Sequence, residues 1–161
     1  MVLSIVAILG VSAICGKVIA LFYEKRESFY CEQDNFCEFV KNEIGFCQTK
    51  VKTVFEKFES TFNLKNKEFF NNLKNYSENE SKEELITKNL YFLKPNEKIA
   101  IMNFMKTFGE FDEKRQVSNI ENFACQIKKQ HEEAVLKRKQ NAPLCYKLCL
   151  SVGAVVCVMI L

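Results

Sequence analysis

The distribution of charge constrains this chain more than any other feature. From Met1 to Phe22 the only charged side chain is Lys17, and from Leu144 to Leu161 the only one is Lys147. Taking those two lysines from the 23 basic residues leaves 21, against 20 acidic residues that all lie between the ends. A highly charged, almost neutral middle is therefore held between two apolar stretches. As helices, these stretches would rise about 33 Å and about 27 Å. A bilayer core is about 30 Å thick. The pattern predicts two transmembrane helices, residues 1–23 and 144–161, flanking a central domain over residues 24–143.

Lys17 and Lys147 each sit on the side of their span nearest the middle, where the stem can carry the ammonium to the headgroups. This sets the membrane orientation as a hairpin, with the middle on one face and both termini on the other. Lys25 and Arg26 follow the first span, and Lys128, Lys129, Lys137, Arg138 and Lys139 precede the second. The positive-inside rule then places the middle in the cytoplasm. Two rival readings stand beside this one. The first end reads alternatively as a cleaved signal, although it lacks a basic leading region and Lys17 interrupts the cleavage side. The second end, with 14 residues after Lys147, reads alternatively as a buried core helix.

Composition supports an all-α middle. Gly 5 and Pro 2 are too few for the frequent turns of a sandwich or barrel. Hydrophobic residues make up 48% of the chain, 15 of them Phe, which excludes an acidic disordered tail. The balanced charge gives no footprint for nucleic acid. Periodicity predicts about six helices. Glu24–Ile44 continues the first span, with Phe29, Phe36, Val40 and Ile44 on one face. Thr49–Phe62 places Val51, Val54, Phe55, Phe58 and Phe62 in a stripe. Leu64–Tyr76 turns Phe69, Phe70, Leu73 and Tyr76 inward. Asn75–Asn79 is a loop, and Ser81 with Glu84 opens a fourth helix by capping-box spacing, followed by Leu85, Ile86, Leu90 and Leu93. Pro95 opens a fifth, which carries Ile99, Ile101, Met102, Met105 and Phe108 and ends at Gly109. Asp112 caps the last and longest, with a seam of Val117, Ile120, Ala124, Ile127, His131 and Ala134. Pro143 is expected to kink or break it before the second span.

No catalytic constellation emerges. His131, the only His, lies on the apolar seam and reads as a packed, hydrogen-bonded residue. Of the eight Cys, Cys15, Cys145, Cys149 and Cys157 fall in or beside the spans, and Cys31, Cys37, Cys47 and Cys125 in the middle. None forms a C-x-x-C pair, so no zinc site is read; the thiols are expected to act as small hydrophobes, reduced if the middle is cytoplasmic. Adjacent carboxylates such as Glu83-Glu84 and Glu132-Glu133 point about 100° apart on a helix and do not converge. The reading is therefore a protein with no enzymatic activity, no cofactor, no metal and no small-molecule substrate. An exported helical binding protein with a cleaved first end, or a membrane thiol enzyme, are the alternatives.

The second half resembles the stage III sporulation protein AB family of endospore-forming bacteria. The residues that carry the resemblance are Leu93-Lys94-Pro95-Asn96-Glu97, the helix to Phe108, then Gly109, Asp112 and Gln116, the long helix and the closing span. Phe108 stands where the family usually has Leu. Ile44-Gly45-Phe46-Cys47 resembles a first-half segment, with Cys47 in place of Gly and Lys50-Val51 in place of Pro-Leu. The resemblance implies a six-helix bundle similar to the cytoplasmic domain of the type II secretion and type IV pilus platform protein. It also implies a place in the mother-cell membrane complex that connects with the forespore, among other stage III sporulation membrane proteins. Its expected partner is the cytoplasmic secretion-type ATPase, stage III sporulation protein AA. Phe108, Gly109, Asp112 and Gln116 are then a candidate partner-contact or structural motif at a helix–helix corner.

Overall fold

The computed structural model describes residues 2–47, 51–74, 90–108 and 113–160, and these are almost wholly helical, with no strand among them. Among the described residues there are five helices, against about six expected for the chain: α1 Val2–Cys47, α2 Val51–Thr61, α3 Lys67–Lys74, α4 Pro95–Thr107 and α5 Glu113–Ile160. The helix expected from Ser81, the loop Asn75–Asn79, and Gly109 and Asp112 lie outside the described residues. The chain divides into two compact units: Ser28–His131, and Met1–Glu27 with Glu132–Leu161.

The core of Ser28–His131 is aromatic. Phe29, Phe36, Val40 and Ile44 of α1 are all buried, as their sevens-and-fours spacing predicts. Phe36 stacks on Phe55 of α2 at 5.1 Å and meets Phe58 edge-on at 5.1 Å. Phe29 makes edge contacts with Phe69 of α3 and with Phe92 ahead of α4. Each fully buried ring of this kind stabilises the fold by roughly 1.5–3 kcal/mol. The third helix begins at Lys67 rather than Leu64, because a turn intervenes that α1 holds from the side. Glu32 Oε1 accepts from the Lys65 N–H at 2.7 Å, and Glu32 Oε2 accepts from the Asn66 N–H and Nδ2 at 3.2 and 2.9 Å.

Two further pairs join α1 to α5 in this unit. His131 Nδ1 lies 3.4 Å from Asp34 Oδ2, and Lys41 Nζ lies 2.6 Å from Glu121. Later residues of α1 thus meet earlier residues of α5, the antiparallel order. The buried face of α5 runs through Gln116, Ile120, Phe123 and Ile127. The expected seam is shifted by the inclusion of Phe123, which stacks on Phe104 of α4 at 3.9 Å. That stack also sets the face of α4: Phe104 is buried, and Ile99, one of the apolar residues assigned to this helix, is 49% exposed.

The second unit pairs the two apolar ends, again antiparallel. A Cβ at Gly16 would meet Tyr146 Cδ2 at 2.8 Å and its Cα at 3.2 Å; one at Gly153 would run into Ser12. The helices therefore pack at Gly16 and Gly153 with no room for a side chain, the small-residue packing also used between membrane helices. Cys157 Sγ donates to the Ile5 carbonyl at 3.8 Å, and Arg138 Nε pairs with Glu27 Oε2 at 2.7 Å. Large apolar side chains on the outer faces, among them Val6, Ile14, Val152 and Met159, are exposed. Pro143 does not break α5. Proline removes one N–H, and so frees only the carbonyl four residues earlier, at Lys139. Lys139 is exposed, so that carbonyl can be solvated without ending the helix.

Seven described cysteines are free thiols. Cys37 and Cys157 are buried, Cys15, Cys31 and Cys125 are exposed, and Cys145 and Cys149 lie between. The expectation of small buried hydrophobes thus fits two of the seven outright. Burial, with Asp34 and Glu38 nearby, pushes the Cys37 thiol up to about 12 from an ordinary 9.0.

Candidate interaction groove

The start of α4 is built by local chemistry. Pro95 opens the helix where its missing N–H costs nothing. Glu97, buried at the third position, reaches back so that its Oε2 accepts from the Lys94 N–H at 2.9 Å. The Lys94 carbonyl accepts from the N–H groups of Glu97 and Lys98, each at 3.1 Å. With its first turn fixed, α4 lies against α5 through the Phe104–Phe123 stack, whose rings are within 2° of parallel.

Above that stack runs an open groove. Asn96, Ile99, Ala100, Asn103 and Thr107 line it from α4, and Asn119, Asn122 and Gln126 from α5. The spacing is that of single helical faces. Thr107 stitches the walls together: its Oγ1 lies 3.1 Å from the carbonyls of Asn103 and Phe104 and accepts from Asn119 Nδ2 at 3.1 Å. Asn96, Ala100, Phe123 and Gln126 are shared with a smaller cavity of about 110 Å³, which reaches Tyr30, Glu97 and Gln130. The groove presents uncharged hydrogen-bonding groups over an aromatic floor. It has the chemistry of a recognition surface, and no group in it is placed as a nucleophile.

The residues singled out in sequence fall elsewhere. Phe108 is half-buried and packs on Phe36, Phe55 and Phe104 at 6.0, 5.7 and 5.4 Å. Gln116 is buried. Gly109 and Asp112 lie outside the described residues, so the corner between α4 and α5 is seen only from its two ends. Lys17 and Lys147 are exposed, each one position beyond the Gly16–Tyr146 contact. The groove amides were missed because Asn and Gln on a helix read as ordinary solvated positions. Their signal is the absence of charge at face spacing over Asn96–Thr107 and Asn119–Gln126.

Comparison with known proteins agrees with the resemblance and extends it. The family described as stage III sporulation protein AB matches residues 1–161, the whole chain, and the chain belongs to that family. No curated protein and no solved structure matches it.

Proposed function

We propose that this member of the stage III sporulation protein AB family is a platform subunit of a secretion-like sporulation complex, without enzymatic activity of its own. It crosses the cell membrane twice, holds residues 24–143 in the cytoplasm of the mother cell, and docks the secretion-type ATPase, stage III sporulation protein AA, beside other stage III membrane proteins. The observation that carries the reading is the construction of α1 and α5. Each begins or ends in an apolar stretch long enough to cross a bilayer and continues without a break as a helix with a buried face, rich in Phe on α1 and mainly aliphatic, with Phe123, on α5. The apolar stretches have exposed Val, Ile and Leu side chains on their outer faces, which suits lipid as solvent. Lys17 and Lys147 stand on the side nearest residues 24–143, and the basic residues beside both spans support a cytoplasmic face.

Thiol chemistry tests the orientation. Cys31 and Cys125 are exposed and react readily wherever water reaches them. Variants that retain one of these two as the only cysteine are treated with a membrane-impermeant maleimide. The expected result is no labelling in intact cells and full labelling after lysis. Labelling from outside intact cells overturns the cytoplasmic placement and supports an exported binding protein instead.

A further inference from the structure

More than a quarter of the residues in this chain are charged, 27%, yet none of the ten that line the groove between α4 and α5 is. A strip of charge laid into the groove would lose its hydration and meet no counter-ion. The groove offers amides instead: Asn96, Asn103, Asn119, Asn122 and Gln126, each both donor and acceptor. No hydrogen bond joins the side chains of Asn96, Asn103, Asn122 or Gln126 to another described residue. A helical ligand has its main-chain groups committed internally. An extended ligand presents N–H and C=O groups along its edges, which is what a row of amides can pair with. Ile99, half exposed at the lip, supplies an apolar contact, and the Phe104–Phe123 stack supplies the floor. The lining of α4 from Asn96 to Thr107 spans about 16 Å, the length of about five extended residues.

We infer that this groove seats an uncharged, extended segment of a partner protein, its main chain read by the amides of Asn96, Asn103, Asn122 and Gln126. The inference rests on the platform reading for the identity of that partner, the docked ATPase.

The test uses the full chain in detergent and the purified ATPase, with affinity measured for the parent and for the N103K/N122K and N103A/N122A variants. Both positions are exposed, and unchanged thermal melting by circular dichroism verifies that the variants fold. The expected result is a loss of at least tenfold with the lysines, a smaller loss with the alanines, and parent affinity nearly independent of salt, since no screened ion pair is involved. Equal binding by parent and lysine variant overturns the groove and leaves the platform reading standing. Failure of the parent to bind the ATPase overturns the platform reading and the groove with it. A change in the oligomeric state of the chain alone, with ATPase binding intact, assigns the groove to a second copy and overturns the proposed occupant.

Discussion

Glu32 and Asn66 are 34 positions apart in sequence and joined by two hydrogen bonds, from the Asn66 N–H and from its Nδ2, to the same carboxylate oxygen. With the Lys65 N–H on the other oxygen, one buried acid of α1 satisfies the turn that separates α2 from α3. Glu32→Ala leaves those donors without a protein acceptor and is expected to cost roughly 2–4 kcal/mol. For a domain of this size, that is a fall in Tm of about 4–16 °C. Glu32→Gln keeps one acceptor oxygen and is expected to cost less. Thermal melting of the full chain in detergent, followed by circular dichroism, gives the order parent, Gln, Ala. An alanine variant that melts with the parent would show that the turn holds itself.

The buried Cys37 thiol makes stability depend on alkaline pH. Its folded pKa is pushed up to about 12, against 9.0 when it is not perturbed. Below pH 9 the thiol is neutral in both states, so the full stability is present. As pH rises from 9 towards 12, the unfolded chain ionises first and stability falls, by at most about 1.4 kcal/mol per pH unit from this group. The difference in Tm between the parent and Cys37→Ala is therefore expected to shrink steadily above pH 9 and to stay flat below it. The same burial predicts that Cys37 resists maleimide in the folded protein while Cys31, six residues away and exposed, reacts.

How much of this was legible depended on whether the answer was local. The α1 stripe of Phe29, Phe36, Val40 and Ile44 is set by one long helix with one apolar face, and the sequence shows it. Between those positions lie Glu32 and Gln33, both buried, which no hydrophobic pattern marks as interior. The sequence assigned no face to α4, because Ile99-Ala100-Ile101-Met102 is apolar all round and fixes no direction. Phe123, on another helix, fixes it through its stack on Phe104. The groove shares that origin, since it exists only once the stack has set two amide-bearing faces side by side. Pro95 was read correctly because its effect is confined to its own turn. Pro143, expected to kink or break its helix, does not break it, because breaking a helix depends on where the freed carbonyl goes.

The paired apolar ends make a sharp distinction among glycines. Gly16 and Gly153 have no room for a Cβ, whereas nothing lies within 4 Å of one at Gly10. Gly16→Val and Gly153→Val push α1 and α5 apart where a Cβ would meet Tyr146 or Ser12, and each is expected to lower the Tm measurably in detergent. Gly10→Val, a change of the same size on the same helix, is expected to leave it within about 2 °C, as exposed substitutions do. Equal effects at all three positions would mean that helix propensity, not the close approach, is being read.

Gly16 against Tyr146 puts Lys17 and Lys147 within about 3 Å of one level along the paired ends, since each is one residue from that contact and the helices run antiparallel. In the proposed membrane arrangement, the exposed apolar side chains of Val18, Ile19, Leu21 and Phe22 lie on the charged side of Lys17. Placing the lysines at the hydrocarbon boundary would leave those side chains in water, so the stretch settles deeper and the stems extend back to the headgroups. The two ammonium groups then resist any further sinking. With Lys17→Leu and Lys147→Leu together that resistance is gone, and the level of residues 15–17 is expected to move towards the bilayer centre. Cys15 and Cys145 flank the two lysines and report the movement. In vesicles, their reaction with a water-soluble maleimide is expected to slow several-fold in the double variant, while the exposed Cys125 reacts at an unchanged rate. Unchanged rates at Cys15 and Cys145 would show that the depth is set by other residues, with Tyr23, Lys25 and Arg26 the nearest candidates on α1.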